Sequence, residues 1–243
     1  MKNYQWLYPT KVFVPLQLLF VACSVQTEKC TDVNQDKIYQ GYSVSYDATS
    51  NTTSASAQFR FGGITGTTLE MDGKCSISHD SISLSKDALS GIIGTSYGGS
   101  KSGYVASNTF TFTNNNGQGL VNKIDNASAV ELSSPPSSIS KGSDVTLSFT
   151  PAVGMKESVS VYVKLTNPPD GSSTTSASGS TDAQGATSVT ITSTKLSQLS
   201  STGAITLDAE RTYSKGLDQA AASESGHMVY YYHSPKVAST LTN

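Results

Sequence analysis

Gly94-Thr-Ser96-Tyr-Gly98 has the spacing of a GxSxG nucleophile elbow, in which a sharp strand-to-helix turn lifts a serine hydroxyl above a sheet toward a histidine base. His227 and His233 follow Ser96 in the chain order such a triad uses. The next residues, Gly99-Ser-Lys-Ser-Gly103, will not start a helix, and composition alone yields about 0.3 such matches in a chain of this length. A serine hydrolase using Ser96 is therefore only a remote alternative, and the chain reads as non-enzymatic. His227 and His233 lie six residues apart, so in a strand they share a face at a separation of about 20 Å and do not share a metal. His79-Asp80 stands alone, and all three histidines read as surface or rim residues. Asp32-Val-Asn34-Gln-Asp36 has the first three ligand spacings of a calcium loop, but Lys37 and Ser43 stand where Gly and Glu are required; it reads as a solvated turn. No metal or cofactor is expected.

Where the chain works is more legible. Lys2 and Lys11 precede the apolar run Val12–Ala22, which is 11 residues long against the roughly 20 needed to cross a bilayer. A basic start, a short apolar core and small residues at its end are the parts of a cleaved signal peptide, residues 1–22. Phe20-Val21-Ala22-Cys23 resembles the lipobox of bacterial lipoproteins, with Phe20 where leucine is usual. The resemblance implies lipidation of Cys23, a membrane attachment through that lipid and a place in the bacterial cell envelope. Ser24 lacks the aspartate that commonly holds such proteins at the inner membrane, which by resemblance implies the outer membrane.

Composition agrees with export. The cut leaves 221 residues and a net charge of −4, with no basic surplus for nucleic acid. Charged residues are only 14% of the chain, and 41 Ser and 28 Thr supply the polarity instead. Cys30 and Cys75 remain as an even pair in an oxidising compartment, and a disulfide between them is expected. Neither has the CxxC spacing of redox or zinc sites.

The elements that would position any site are short strands. Ile38–Ala48 and Thr53–Phe61 alternate apolar and polar residues about a Ser-Asn-Thr turn, a hairpin pattern. Further strands are expected at Thr67–Met71, Lys74–Ser78, Ser81–Ser85, Thr109–Thr113 and Leu120–Ile124, with Gly91–Gly103 looping. Ser133-Ser-Pro-Pro-Ser-Ser138 reads as a stiff joint. Beyond it, Val145–Phe149, Val159–Leu165, Thr187–Thr192, Ala204–Ala209 and His227–His233 read as strands, Asp170–Gly185 as a mobile loop and Thr194–Ser200 as a helical turn.

The pattern predicts an all-β protein of two tandem β-sandwich domains: a tether over 23–37, a first sandwich over 38–132, a linker over 133–142 and a second sandwich over 143–243. In strand order and spacing, with Lys141-Gly142-Ser143-Asp144 as the entry turn before VTLSF, the second module resembles immunoglobulin-like domains of bacterial surface proteins, without the cysteine and tryptophan of an antibody-type core. Within His227–His233, Tyr230, Tyr231 and Tyr232 form an aromatic cluster: Tyr231 faces one side, Tyr230 and Tyr232 the other. They read as core packing plus one half-exposed ring, or as a contact patch for a protein or glycan partner. Taken together, the chain reads as a lipid-anchored envelope protein serving binding, adhesion or spacing. The alternative is a periplasm-facing assembly or accessory factor.

Overall fold

The computed structural model describes residues 27–87, 94–221 and 226–243. The signal peptide expected over residues 1–22, and Cys23, lie outside these residues. The regular structure of the described chain is almost all strand: β1 (Thr27–Lys29), β2 (Ile38–Asp47), β3 (Thr52–Phe61), β4 (Thr67–Glu70), β5 (Ser76–His79), β6 (Ile82–Ser83), β7 (Ser85–Lys86), β8 (Tyr97–Ser102), β9 (Ser107–Thr113), β10 (Gly119–Asp125), β11 (Glu131–Ser133), β12 (Ser138–Ser140), β13 (Val145–Thr150), β14 (Glu157–Leu165), β15 (Ser176–Thr181), β16 (Ser188–Ile191), β17 (Gly203–Gly216), β18 (His227–His233) and β19 (Val237–Thr242). One short α-helix, α1 (Ser193–Ser197), falls where the helical turn was expected, and two 3₁₀ turns, Cys30–Asp32 and Gln35–Lys37, precede β2.

The strands form an all-β sandwich architecture of three sheets. A twelve-stranded sheet runs β1-β4-β3-β2-β18-β17-β14-β15, with β7, β8, β12 and β19 attached. A four-stranded sheet, β10-β9-β5-β6, and a three-stranded sheet, β11-β13-β16, accompany it. Period-two sequence explains the layering. In β2 the residues Ile38, Gln40, Tyr42, Val44 and Tyr46 are buried while their neighbours stay half-exposed. Tyr42 stacks on Phe110 of β9 at 4.6 Å between ring centroids, and Phe59 of β3 meets Phe112 at 4.5 Å. Each fully buried ring of this kind contributes roughly 1.5–3 kcal/mol. Farther along, Leu147, Phe149, Val189 and Ile191 share one core with Val159, Val161 and Val163 of β14.

The two halves are joined by strand pairing. β18 lies parallel to β2 over seven residue pairs, from His227↔Gly41 to His233↔Asp47. Gly226, just before β18, permits this approach: a Cβ there would sit 2.0 Å from the Gln40 carbonyl oxygen. The long sheet therefore runs across the expected junction between modules.

The structure corrects several readings. Residues 27–37 are folded in, not a free tether: β1 pairs with β4, Cys30 is bonded to Cys75, and buried Gln35 donates to the carbonyls of Cys30 and Val33 and accepts from Asn115 N. The paired prolines mark a change of sheet. β11 pairs with β13, and β12, which begins two residues after Pro136, pairs with β19 in the long sheet. Prolines cannot donate to a ladder, so the chain leaves one sheet there and joins the other. Two segments expected as loops contain strands: Tyr97–Ser102 pairs with β3, and Ser176–Thr181 pairs with β14. Their small polar residues carry little strand signal of their own; the neighbouring ladder organises them.

Candidate functional site

The outward face of the long sheet gathers the chemically capable side chains. Strand register sets them in rows. Glu210, His233, Asp47 and Thr52 form one row across β17, β18, β2 and β3; Thr212, Tyr231, Ser45 and Ser54 form the next. Ser214, Val229, Ser43 and Ser56 follow, then Gly216, His227, Gly41 and Gln58. Serine and threonine make a low floor, over which the rings of β18 and Tyr39 stand.

Two of the shallow grooves on this face are lined by these side chains. One, of about 390 Å3, is lined by Asp47, Lys164, Asp208, His233 and Lys236 together with Ser and Thr hydroxyls. The other, of about 460 Å3, is lined by Tyr39, Ser43, Gln58, Arg60, His227 and Tyr231, among others. Some of the polar groups pair within the face. Lys164 Nζ donates to both oxygens of Asp208 at 3.1 and 2.8 Å and lies 4.5 Å from the centroid of the Tyr162 ring. His233 Nδ1 is 3.3 Å from Glu210 Oε2, and Tyr231 stacks on His233 with centroids 6.5 Å apart. The Tyr39 hydroxyl is hydrogen-bonded to His227 Nδ1. Burial raises the Tyr39 phenol above its ordinary value, against the opposing pull of Arg60.

Of the three tyrosines singled out in sequence, Tyr230 and Tyr232 are buried at 0% and 7% exposure and belong to the core. Tyr231 alone stands on the open face, flanked by Thr212 and Ser45. Tyr39, Tyr162, Gln58 and Arg60 join the site without having been noticed in sequence. Each occupies an outward position of its strand, a signal that alternation carries but that needs the register to assemble.

Ser96 lines the second groove, at the entrance to strand β8 and not on a strand-to-helix turn. Its hydroxyl donates to Asp87 Oδ2 at 2.5 Å. One residue beyond the β3–β8 ladder, it lies three strand spacings from His227, about 14 Å. Asp32, Asn34 and Asp36 are exposed on two 3₁₀ turns, where Asn34 Oδ1 accepts from Asp36 N at 3.0 Å. Among the described residues no three His, Cys, Asp or Glu side chains are grouped to hold a metal ion, and no helix is long and apolar enough to cross a membrane.

His79 also departs from the sequence reading: it is 4% exposed, not a rim residue. Its Nε2 lies 2.9 Å from Asn108 Oδ1 and 3.4 Å from Asp80 Oδ2. Asp80 and Ser81 both have positive φ, 47° and 66°, in the two-residue turn between β5 and β6. Asp80 accepts from Thr109 N at 2.8 Å and pairs with Lys101 Nζ at 2.5 Å, contacts that hold the turn over the histidine.

No protein-family model and no curated protein matches the chain. Among solved structures, the Yersinia pseudotuberculosis adhesin InvE is similar over 86% of this chain at 11% identity and a TM-score of 0.24. This chain spans 60% of that adhesin chain's length.

Proposed function

We propose that this protein is a binding or adhesion module working outside the cytoplasm, and that the outward face of its long sheet is the contact surface. The observation that carries the reading is the set of rows in which Tyr231, Tyr39 and the two histidines stand over a floor of serine and threonine hydroxyls. The Cys30–Cys75 disulfide supports an oxidising location. Attachment is assigned to a lipid on Cys23, following the lipobox-like Phe20–Cys23, and Ser24 favours the outer membrane.

The chemistry of the face favours a glycan over a protein. Protein interfaces have an apolar, desolvated centre. Here Val229 is the only aliphatic side chain in the four central rows, and the nearby Lys164 ammonium is paired with Asp208. Hydroxyls and half-exposed tyrosine rings suit a neutral polyhydroxylated ligand.

The test uses the full chain on cells. Palmitate should label the wild type and not Cys23→Ala; labelling of that variant refutes the anchor. Cells carrying the wild type should adhere to immobilised neutral polysaccharides, and Tyr231→Ala should reduce adhesion about tenfold, as expected for loss of an aromatic contact worth about 1.4 kcal/mol. Equal adhesion by the variant refutes the assignment of the face.

A further inference from the structure

β10 ends the four-stranded sheet and, at seven residues, is the longest edge strand among the described residues. The other strands paired on one side only are β1, β6, β7, β11, β12, β15 and β16, all shorter. An edge of this length presents a row of amides and carbonyls to any strand that arrives. On β10 that row is already engaged by side chains from the end of β17 and the residues after it. Gln219 Oε1 accepts from Val121 N at 2.8 Å, and Asp218 Oδ2 accepts from Lys123 N at 2.8 Å. Lys215 Nζ donates to the Lys123 carbonyl at 2.9 Å and pairs with Asp218 Oδ1 at 2.6 Å. Gln219 N in turn donates to Asn122 Oδ1 at 2.8 Å. An amide oxygen and a carboxylate oxygen thus occupy the places where a paired strand would put two carbonyls, and an ammonium takes the place of its N–H.

We propose that Lys215, Asp218 and Gln219 are an edge guard, and that the partner they exclude is β10 of a second copy of this chain. Antiparallel pairing of a strand with its own copy is two-fold symmetric, so the donors at Val121 and Lys123 would each be met twice by one contact. Val121 is 42% exposed beside those amides and would add apolar contact to the pairing. The next-longest edge carries a related device: on β15, the Ser178 carbonyl is taken by Lys195 Nζ at 2.8 Å. The guard meets the edge hazard with side chains, which leaves the strand itself regular.

The test combines sedimentation equilibrium with amide exchange on the full chain. The wild type should keep one mass at all concentrations, with the Val121 and Lys123 amides protected. In Asp218→Ala/Gln219→Ala both amides should exchange at least tenfold faster, and the mass should rise toward that of a dimer with concentration. Asp218→Asn, which retains an acceptor oxygen, should behave as the wild type. Adding Val121→Pro to the double variant removes the outward N–H and should restore the monomer; a dimer that survives it forms elsewhere and overturns the proposal. A folded double variant that stays monomeric, or whose two amides remain protected, also overturns it. If the double variant does not fold, Gln219→Ala alone decides: faster exchange at Val121 with a mass that rises with concentration supports the guard, and unchanged exchange or a monomer at all concentrations refutes it.

Discussion

Tyr232 of β18 and Tyr46 of β2 stand in direct register across the parallel seam, with ring centroids 5.5 Å apart. They belong to the two stretches that sequence reading divides into separate modules. Both are buried, at 7% and 9% exposure, so the seam is part of the core. Unfolding either half would expose it. Denaturation of the described fold should therefore be one transition, with fluorescence and circular dichroism coincident. Tyr232→Ala should lower stability by about 3 kcal/mol, the lower range for removing a buried ring, and move that one transition without splitting it. Two separated transitions in the wild type would refute the coupling.

The Cys30–Cys75 bond closes a sequence separation of 45 residues. Cross-linking a loop of that length stabilises by up to about 4 kcal/mol through the unfolded state. Cys30→Ser/Cys75→Ser should lose most of this, as a lower urea midpoint. Reducing agent should have the same effect on the wild type and none on the variant. A wild type insensitive to reduction would show that this bond contributes little.

Arg211 and Glu157 make a second internal constraint. The guanidinium is 1% exposed; Nη1 donates to Glu157 Oε2 at 2.6 Å and to the Ala152 carbonyl at 3.1 Å, and Nη2 donates to the Pro151 carbonyl. Removing the carboxylate alone leaves a buried cation without its counter-charge, at a cost of about 3–5 kcal/mol. Glu157→Ala should therefore be strongly destabilising. Replacing both residues by leucine should cost less than that single change, because no charge is left stranded. Urea titrations of the two variants decide it: a double variant weaker than Glu157→Ala would contradict this reading.

How much of this was legible without coordinates follows from what each signal encodes. Alternation in Ile38–Asp47 marks both the strand and its buried face, and the same rule separates Tyr231 from Tyr230 and Tyr232. Alternation says nothing about which strand lies alongside. The pairing of β18 with β2 links residues nearly 190 positions apart, so the rows joining Tyr231 to Ser45, and His227 to Gly41, had no local sign. Pro135-Pro136 was visible as a break, but a proline pair breaks a ladder equally at a linker and at a change of sheet. Ser176–Thr181 is too small and polar to look like a strand, and the β14 ladder supplies what its side chains lack. His79 looked exposed because it adjoins a turn; Asp80 binds Thr109 N and Lys101, and so folds that turn back over it.

His79 also carries the pH dependence. Burial holds its imidazole below the ordinary value of 6.5, and Lys101 acts in the same direction; the Asn108 hydrogen bond and the Asp80 charge oppose them without prevailing. The unfolded chain therefore takes up a proton near pH 6.5, and the folded chain does so only at lower pH. The folded state keeps its full stability above that point and loses it as pH falls toward the folded value, by up to about 1.4 kcal/mol per pH unit. Asp72, Asp80, Asp144 and Asp218, whose carboxyls are held below their ordinary value of 3.8, act in a more acidic range. His79→Gln keeps a hydrogen-bonding side chain but cannot titrate. Urea midpoints at about pH 7.5 and about pH 5.5 should fall for the wild type and change less for His79→Gln, any other group contributing alike to both. Equal losses in the two proteins would exclude His79 as the source.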